Sequence, residues 1–100
     1  MNIANLQLEG LYIALAAIND ALVEKGALSR DEMSLALRRA EQIAVGDERM
    51  DELSSAEREA VAFAPRLLLL ANDRAASGPA SFSELARLVG QTKRPHPDQL

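Results

Sequence analysis

Few residues of this chain could take part in chemistry, and the sequence gives them no partners. His96 is the single histidine and stands between Pro95 and Pro97, where we expect no fixed neighbour of the kind that a general base needs. The absence of cysteine excludes a thiolate nucleophile, a disulfide and a cysteine-ligated zinc site. We therefore expect no catalytic residue, no cofactor and no metal, and we expect that the chain is not an enzyme.

Acidic residues gather between the second and third predicted helices, at Asp47, Glu48, Asp51 and Glu52. Such carboxylates could hold a hard cation such as calcium, but their spacing does not match the calcium-loop pattern Asp-x-[Asp/Asn]-x-[Asp/Asn]-Gly. A connector exposed to water is the better interpretation, and a surface for a basic partner is the alternative.

A second polar group lies on the first predicted helix, where Tyr12, Asn19 and Asp20 could line a pocket. A tyrosine more often packs its ring and leaves its hydroxyl at the rim. We expect that structural role here, and a closed pocket around the three residues would favour an enzyme instead.

Composition and charge also limit the possible partners. The net charge of −4 and the pI of about 4.9 disfavour nucleic acid and anionic membranes, because an acidic chain repels phosphate groups. The longest unbroken apolar run, Leu11–Ile18, has eight residues, whereas a membrane span needs about 20. The N-terminus lacks the basic and apolar regions of a signal peptide. We expect a cytoplasmic protein with no membrane partner and no small-molecule ligand.

Three of the four predicted helices begin at Ser-x-x-Glu pairs, in which a serine caps a helix and the glutamate reaches back to it. Glycines, which end helices without steric cost, follow each helix. The pairs are Ser29/Glu32, Ser54/Glu57 and Ser81/Glu84, and the glycines are Gly26, Gly46, Gly78 and Gly90. The pattern predicts helices over residues 3–25, 30–45, 55–76 and 82–89.

The predicted fold is all-α, a small bundle of three main helices plus a short C-terminal helix. Pro65 lies inside the third helix and predicts a kink or a break, because proline lacks an N–H and crowds the preceding turn. Residues 1–90 form the predicted helical bundle domain, and residues 91–100 form a flexible C-terminal tail.

Each main helix carries an apolar stripe that is expected to face the core. In the second helix the stripe is Met33, Ala36, Leu37, Ala40, Ile43 and Ala44. In the third helix it is Ala60, Ala64, Leu67, Leu68 and Ala71. The first helix carries Leu8, Leu11, Leu15, Ile18 and Leu22 on one face.

Further apolar residues exceed what one small bundle can cover, since each Leu or Ile left in water forgoes roughly 1.5–3 kcal/mol of burial. We interpret them as contacts with a partner, either a second copy in a homodimer or another protein. They are Leu6, Gly10, Ile13 and Ala17 on the opposite face of the first helix, Leu35 on the second and Leu69 on the third. The alternative is that the first helix is the central helix of a monomer.

Residues 22–33 resemble a helix–turn–helix unit in the N-terminal domains of type II secretion and pilus ATPases, some of which bind cyclic di-GMP. The packing positions match at Leu22, Gly26, Leu28, Met33 and Leu37. The ligand-contacting positions depart from that pattern: an Arg-Leu-Gly triplet would fall on Ala17-Ile18-Asn19, and a Gln on Ala40. The resemblance implies a helical hairpin without the nucleotide-binding residues.

Residues 82–94 resemble the first helix and turn of a DNA-binding helix-turn-helix, with Ala86 at the small-residue position and Gly90 at the turn. Lys93 and Arg94 could contact phosphates, but prolines occupy the place of the recognition helix. The first function hypothesis is accordingly a non-catalytic helical adaptor, regulator or subunit. The alternative is a DNA-associated regulator with a degenerate helix-turn-helix at residues 82–94.

Overall fold

Four helices make up the fold in a computed structural model that describes residues 3–46, 51–75 and 81–92. They are α1 (Ile3–Glu24), α2 (Arg30–Gly46), α3 (Ser55–Asp73) and α4 (Phe82–Thr92). The described residues contain no strand. The predicted all-α class, three main helices plus a short C-terminal one, is confirmed.

The end of α1 is fixed by Gly26, whose φ of 78° lies in the left-handed region that favours glycine. Its N–H donates to the carbonyl of Val23, and the N–H of Ala27 donates to the carbonyl of Leu22, each at 3.0 Å. These two bonds form a Schellman motif, which satisfies carbonyls that the helix itself leaves free. The turn then leads directly into the cap of α2.

Two of the predicted capping boxes form completely. The Ser29 Oγ accepts from the N–H of Glu32 at 3.0 Å, while the Glu32 carboxylate accepts from the N–H of Ser29 at 2.8 Å. Ser54 and Glu57 repeat the arrangement at 3.2 and 2.9 Å. In each box the hydrogen bond from the serine N–H, followed by that from its hydroxyl, lowers the pKa of the glutamate.

The third box differs because its glutamate has another partner. The Ser81 Oγ accepts from the N–H of Glu84 at 3.1 Å, which caps α4. The Glu84 carboxylate accepts from Arg74 Nη2 at 3.3 Å, across the α3–α4 connection. The same sequence pattern thus caps one helix and also ties it to its neighbour.

We predict that the capping boxes make stability depend on acid pH. A carboxyl whose folded pKa is lowered stabilises the fold above its unfolded pKa, about 4.3 for glutamate. That contribution is lost as the pH falls through the lower folded pKa. The midpoint temperature of thermal unfolding should therefore decrease when the pH is lowered below about 4. The double variant Glu32→Gln with Glu57→Gln should show a smaller decrease. Glu24→Gln, which removes a carboxylate that caps no helix, is the control. An equally steep fall in the capping variant would contradict the prediction.

The predicted helix end at Gly90 is wrong, and of the two outcomes predicted at Pro65 the break does not occur. The chain passes Gly90 in helical conformation and α4 ends two residues later, at Thr92. Likewise α3 contains Pro65 and continues to Asp73 without a break. The bend at this proline stays a prediction. Gly78 and residues 93–100 lie outside the described residues.

The central helix of the bundle is α3, which contacts each of the other three. Leu67 and Leu68 of α3 form the core with Leu85 and Val89 of α4, and Leu67 is 1% exposed. Ala62 is also fully buried, which fits a small residue where helices approach closely. The alternative that α1 occupies the central position is wrong, because α3 holds that place.

The residues of α2 and α3 that were predicted to face the core agree only partly with those that are buried. On α2, Met33 is buried and Leu37 and Ala44 are half-buried, whereas Ala36, Ala40 and Ile43 face water. Their places toward α3 are taken by polar residues; Glu41, for example, accepts from Arg66 Nε at 2.9 Å. On α3, Ala60 is exposed and Ala64 and Ala71 are half-buried, while Leu67 and Leu68 are buried as expected.

All three aromatic residues of the chain meet where α1, α3 and α4 converge. The ring centroid of Tyr12 lies 5.8 Å from that of Phe63 and 5.9 Å from that of Phe82, and the latter pair is nearly parallel. Phe63 and Phe82 complete the triangle at 6.4 Å. Such pairs contribute about 0.5–1.5 kcal/mol each beyond burial, so the cluster fixes α1 against the bundle.

Candidate functional site: the surface of α1

None of the residues Ile3–Glu24, all of which the structure describes, is buried. Seven large apolar side chains of α1 are exposed, among them Ile3 at 73% and Ile13 at 56%. Single exposed apolar residues are ordinary, but a contiguous apolar patch marks an interaction surface. The outer side of α1 is the leading candidate for such a surface.

Two rows on α1 have the spacing of a coiled-coil seam, and one of them consists of Leu and Ile alone. We call it the α1 seam: Leu8, Leu11, Leu15, Ile18 and Leu22. The steps along it are three, four, three and four residues, the a/d repeat that packs knobs into holes of a second helix. Leu15 is half-buried against the core, and the other four are 39–55% exposed. The sequence-based expectation that this row faces the core is therefore wrong.

The positions that flank the α1 seam carry no charge. Gln7, Ala14 and Ala21 line its outer edge, and all three are exposed. Tyr12 and Asn19 line the edge toward the bundle and are half-buried. Charges at these flanking positions decide which helices pair in coiled coils, and here none would repel an identical helix.

The inner side of α1 is the more polar one, and it is held by an ion pair. Arg30 Nη1 donates to Asp20 Oδ1 at 2.8 Å and to Asn72 Oδ1 at 3.0 Å. Asn72, which is 3% exposed, donates in turn to the Arg30 carbonyl at 3.1 Å and to Ser34 Oγ at 2.8 Å. The network joins α1, α2 and α3 and fixes how α1 sits on the bundle.

We predict that Asn72→Ala destabilises the fold by about 1–3 kcal/mol, because it removes hydrogen bonds to a part-buried guanidinium and leaves a void. Urea unfolding measures the change. Ser34→Ala, which removes one partner of the same amide, should cost about 1 kcal/mol or less. Equal stability of the Asn72 variant and the wild type would show that the network does not hold the helices.

A groove of about 350 Å³ runs between α1, α3 and α4. Its floor is apolar and comes from Leu67, Ala71 and Leu85, with the rings of Tyr12 and Phe82 at one end. At the other end lie Asp20 and Glu24 of α1. The groove and the α1 seam lie on opposite sides of α1, because 100° separates successive residues of a helix.

The partner contacts predicted from sequence fall on three helices. Leu6, Gly10, Ile13 and Ala17 are exposed on α1, and Ile13 and Ala17 form the rim of the groove. Leu35 on α2 is 59% exposed. Leu69 is half-buried on α3, so less of it is available to a partner. Sequence reasoning missed the groove and the exposure of the α1 seam.

The polar candidates form no catalytic constellation among the described residues. Tyr12 packs in the aromatic cluster and Asp20 is paired with Arg30, while Asn19 does not line the groove. No three described His, Asp or Glu side chains are close enough to hold a metal ion. His96, Lys93 and Arg94, together with Asp47 and Glu48, lie outside the described residues.

By length and composition alone, α1 could cross a membrane, and it is the one described helix that meets this test. Core helices of soluble proteins and signal sequences meet it too. The length and apolar composition of α1 therefore do not establish where in the cell the protein is located.

Comparison with known proteins finds no matching family model, no matching curated protein and no matching solved structure. The local resemblances at residues 22–33 and 82–94 thus receive no support from whole-chain similarity. Fold and surface are what remain for a functional argument.

Proposed function

We propose that the chain is a non-catalytic helical interaction protein that acts as a homodimer through the outer side of α1. The observation that carries the proposal is the exposed α1 seam, a Leu/Ile row with a/d spacing on a helix without a buried residue. Two copies would pair their seams across a twofold axis, the commonest symmetry of oligomers. The class is an adaptor, regulator or subunit.

A second copy fits this surface for a specific reason. A helix that pairs with the α1 seam needs the same three-and-four spacing and flanks that do not clash, and α1 itself supplies both. A different partner chosen by charge would need complementary charges on the flanks, where Gln7, Ala14 and Ala21 offer none. Self-pairing therefore needs the fewest additional features.

Membrane insertion is a weaker explanation of the same apolar helix. To cross a bilayer, α1 would have to leave the bundle, which separates Asp20 from Arg30 and breaks up the aromatic cluster. Glu9 and Asp20 would also enter the hydrocarbon region, where a carboxylate at the centre costs about 2.5–3.5 kcal/mol. Pairing of two bundles keeps all of these contacts.

The expected affinity is modest. Covering four already half-exposed side chains on each copy gives roughly 6–12 kcal/mol in total, against an association cost of at least about 4 kcal/mol. We place the affinity at the upper end of this range, a net gain of about 7–8 kcal/mol, which corresponds to a dissociation constant of about 1–10 μM. Sedimentation at tens to hundreds of micromolar should give twice the chain mass of 10.8 kDa. One chain mass throughout this range would refute the proposal.

The alternative function, a DNA-associated regulator using residues 82–94, has less support. Its motif requires a turn at Gly90, where α4 continues to Thr92. It predicts salt-sensitive binding to duplex DNA that weakens when Lys93 and Arg94 are both replaced by Glu. The absence of binding at low salt would remove this alternative.

A further inference from the structure

We infer that the groove between α1, α3 and α4 is a second binding site, which takes a basic amphipathic helix of a partner protein. The inference goes beyond dimerisation and does not require it, because the α1 seam lies on the other side of α1. Its basis is the combination of an apolar floor with two carboxylates at one end.

The shape of the groove favours a helix over an enclosed small molecule. Ligand pockets bury most of the surface of what they bind, whereas the α1 rim of this groove is open, with Ile13 at 56% exposure. From Tyr12 to Glu24 the rim spans about 18 Å at 1.5 Å per residue. An amphipathic helix of about 12 residues has that length and presents apolar anchors at steps of three and four.

Charge selects the basic class of helix. Glu24 is exposed at the end of the groove, and no described side chain makes an ion pair with it. Asp20 adds a second carboxylate, part of whose charge Arg30 already balances at 2.8 Å. A Lys or Arg one turn beyond the last apolar anchor would reach these groups, and the net charge of −4 would attract such a helix.

The α1 of a second copy does not fit this description. It carries Glu9, Asp20 and Glu24, so that seating it in the groove would bring like charges together. The exposed side of α2 offers Leu35, Arg39 and Ile43, which is a basic amphipathic face. It is the competing occupant that the experiment must distinguish.

The test uses the full chain and two synthetic helical peptides of equal length and equal Leu anchors. One carries Lys and its twin carries Glu at the same flanking positions. We expect the Lys peptide to bind about ten times more tightly by fluorescence anisotropy, with ¹H–¹⁵N shifts at Ala71, Ala75 and Leu85. Glu24→Lys should remove this preference. The matched control Glu52→Lys, two residues before the N-cap of α3 and remote from the groove, should leave both affinities within about twofold.

Other outcomes overturn the inference. If the twin peptides bind equally well, or if the ¹H–¹⁵N shifts are confined to the α1 seam, the groove does not select a helix by its charge. If neither peptide binds but 4-phenylbutylamine shifts the resonances of the groove residues, the groove would be a site for a small organic cation. The measurement is repeated with Leu11→Glu and Ile18→Glu combined, so that failure of the dimer is distinguishable. A mass that stays double in that variant but is halved by Glu24→Lys would assign the groove to α2 of a second copy.

Discussion

Replacing Leu11 and Ile18 together with Glu should convert the proposed dimer to a folded monomer. The two residues are 51% and 55% exposed in the single chain, so the monomer loses little, and Glu is as good a helix former as Leu. In the proposed dimer the same change removes four apolar contacts and places four carboxylates in the pairing surface. We expect the dissociation constant to rise at least about a thousandfold, which corresponds to about 4 kcal/mol. Sedimentation measures the mass and circular dichroism the fold.

The control uses the opposite side of α1, where sequence reasoning placed the contact. Leu6→Glu with Ile13→Glu introduces the same two charges on the same helix, beside the groove. If the α1 seam is the contact, this pair should leave the mass near that of the dimer. Dissociation by the Leu6/Ile13 pair and none by the Leu11/Ile18 pair would move the interface to the face predicted from sequence.

The helices could be predicted because their ends are determined by hydrogen bonds between residues that are close in sequence. Gly26 ends α1 through bonds within six residues, and Ser29 and Ser54 cap the next two helices through bonds to residues three positions away. No contact between distant parts of the chain is needed for these features. The failure at Gly90 fits the same view, because glycine permits a helix end without requiring one.

The inward faces could not be predicted with the same success, because they depend on which helix becomes central. Two faces of α1 are apolar, and the sequence did not show that the more polar face between them meets the bundle. The orientation of α1 on the bundle is determined by residues that form no recognisable motif in the sequence. Tyr12 finds two aromatic rings from other helices, and Asp20 finds Arg30, which is bonded to the buried Asn72.

The polar contacts of α1 thus determine which of its faces stay exposed to water. The hydrophobic effect has no direction and would bury either side of α1 equally well. A salt bridge and hydrogen bonds do have geometry, and they set the rotation of the helix. That rotation leaves the evenly spaced α1 seam in water. The apolar surplus predicted from composition is therefore present, and it covers the α1 seam as well as the predicted row that contains Leu6 and Ile13.

The central position of α3 leads to the second large effect, which is on stability. Leu67 is 1% exposed and touches both α4 and the groove, so Leu67→Ala should cost about 2–5 kcal/mol through lost burial and a cavity. Since small domains are stable by about 5–15 kcal/mol in total, the variant should be visibly close to unfolding.

Urea unfolding measures this loss, and it belongs in the Leu11→Glu/Ile18→Glu background because dimerisation adds concentration-dependent stability. Leu69→Ala, two residues away on the same helix and half-buried, is the matched control and should cost clearly less. If the two variants lose equal stability, Leu69 would be covered within the single chain as fully as Leu67, and it would not be available as a contact residue. If Leu67→Ala costs nothing, the bundle is not built around α3, and the exposure of α1 that supports dimerisation loses its basis.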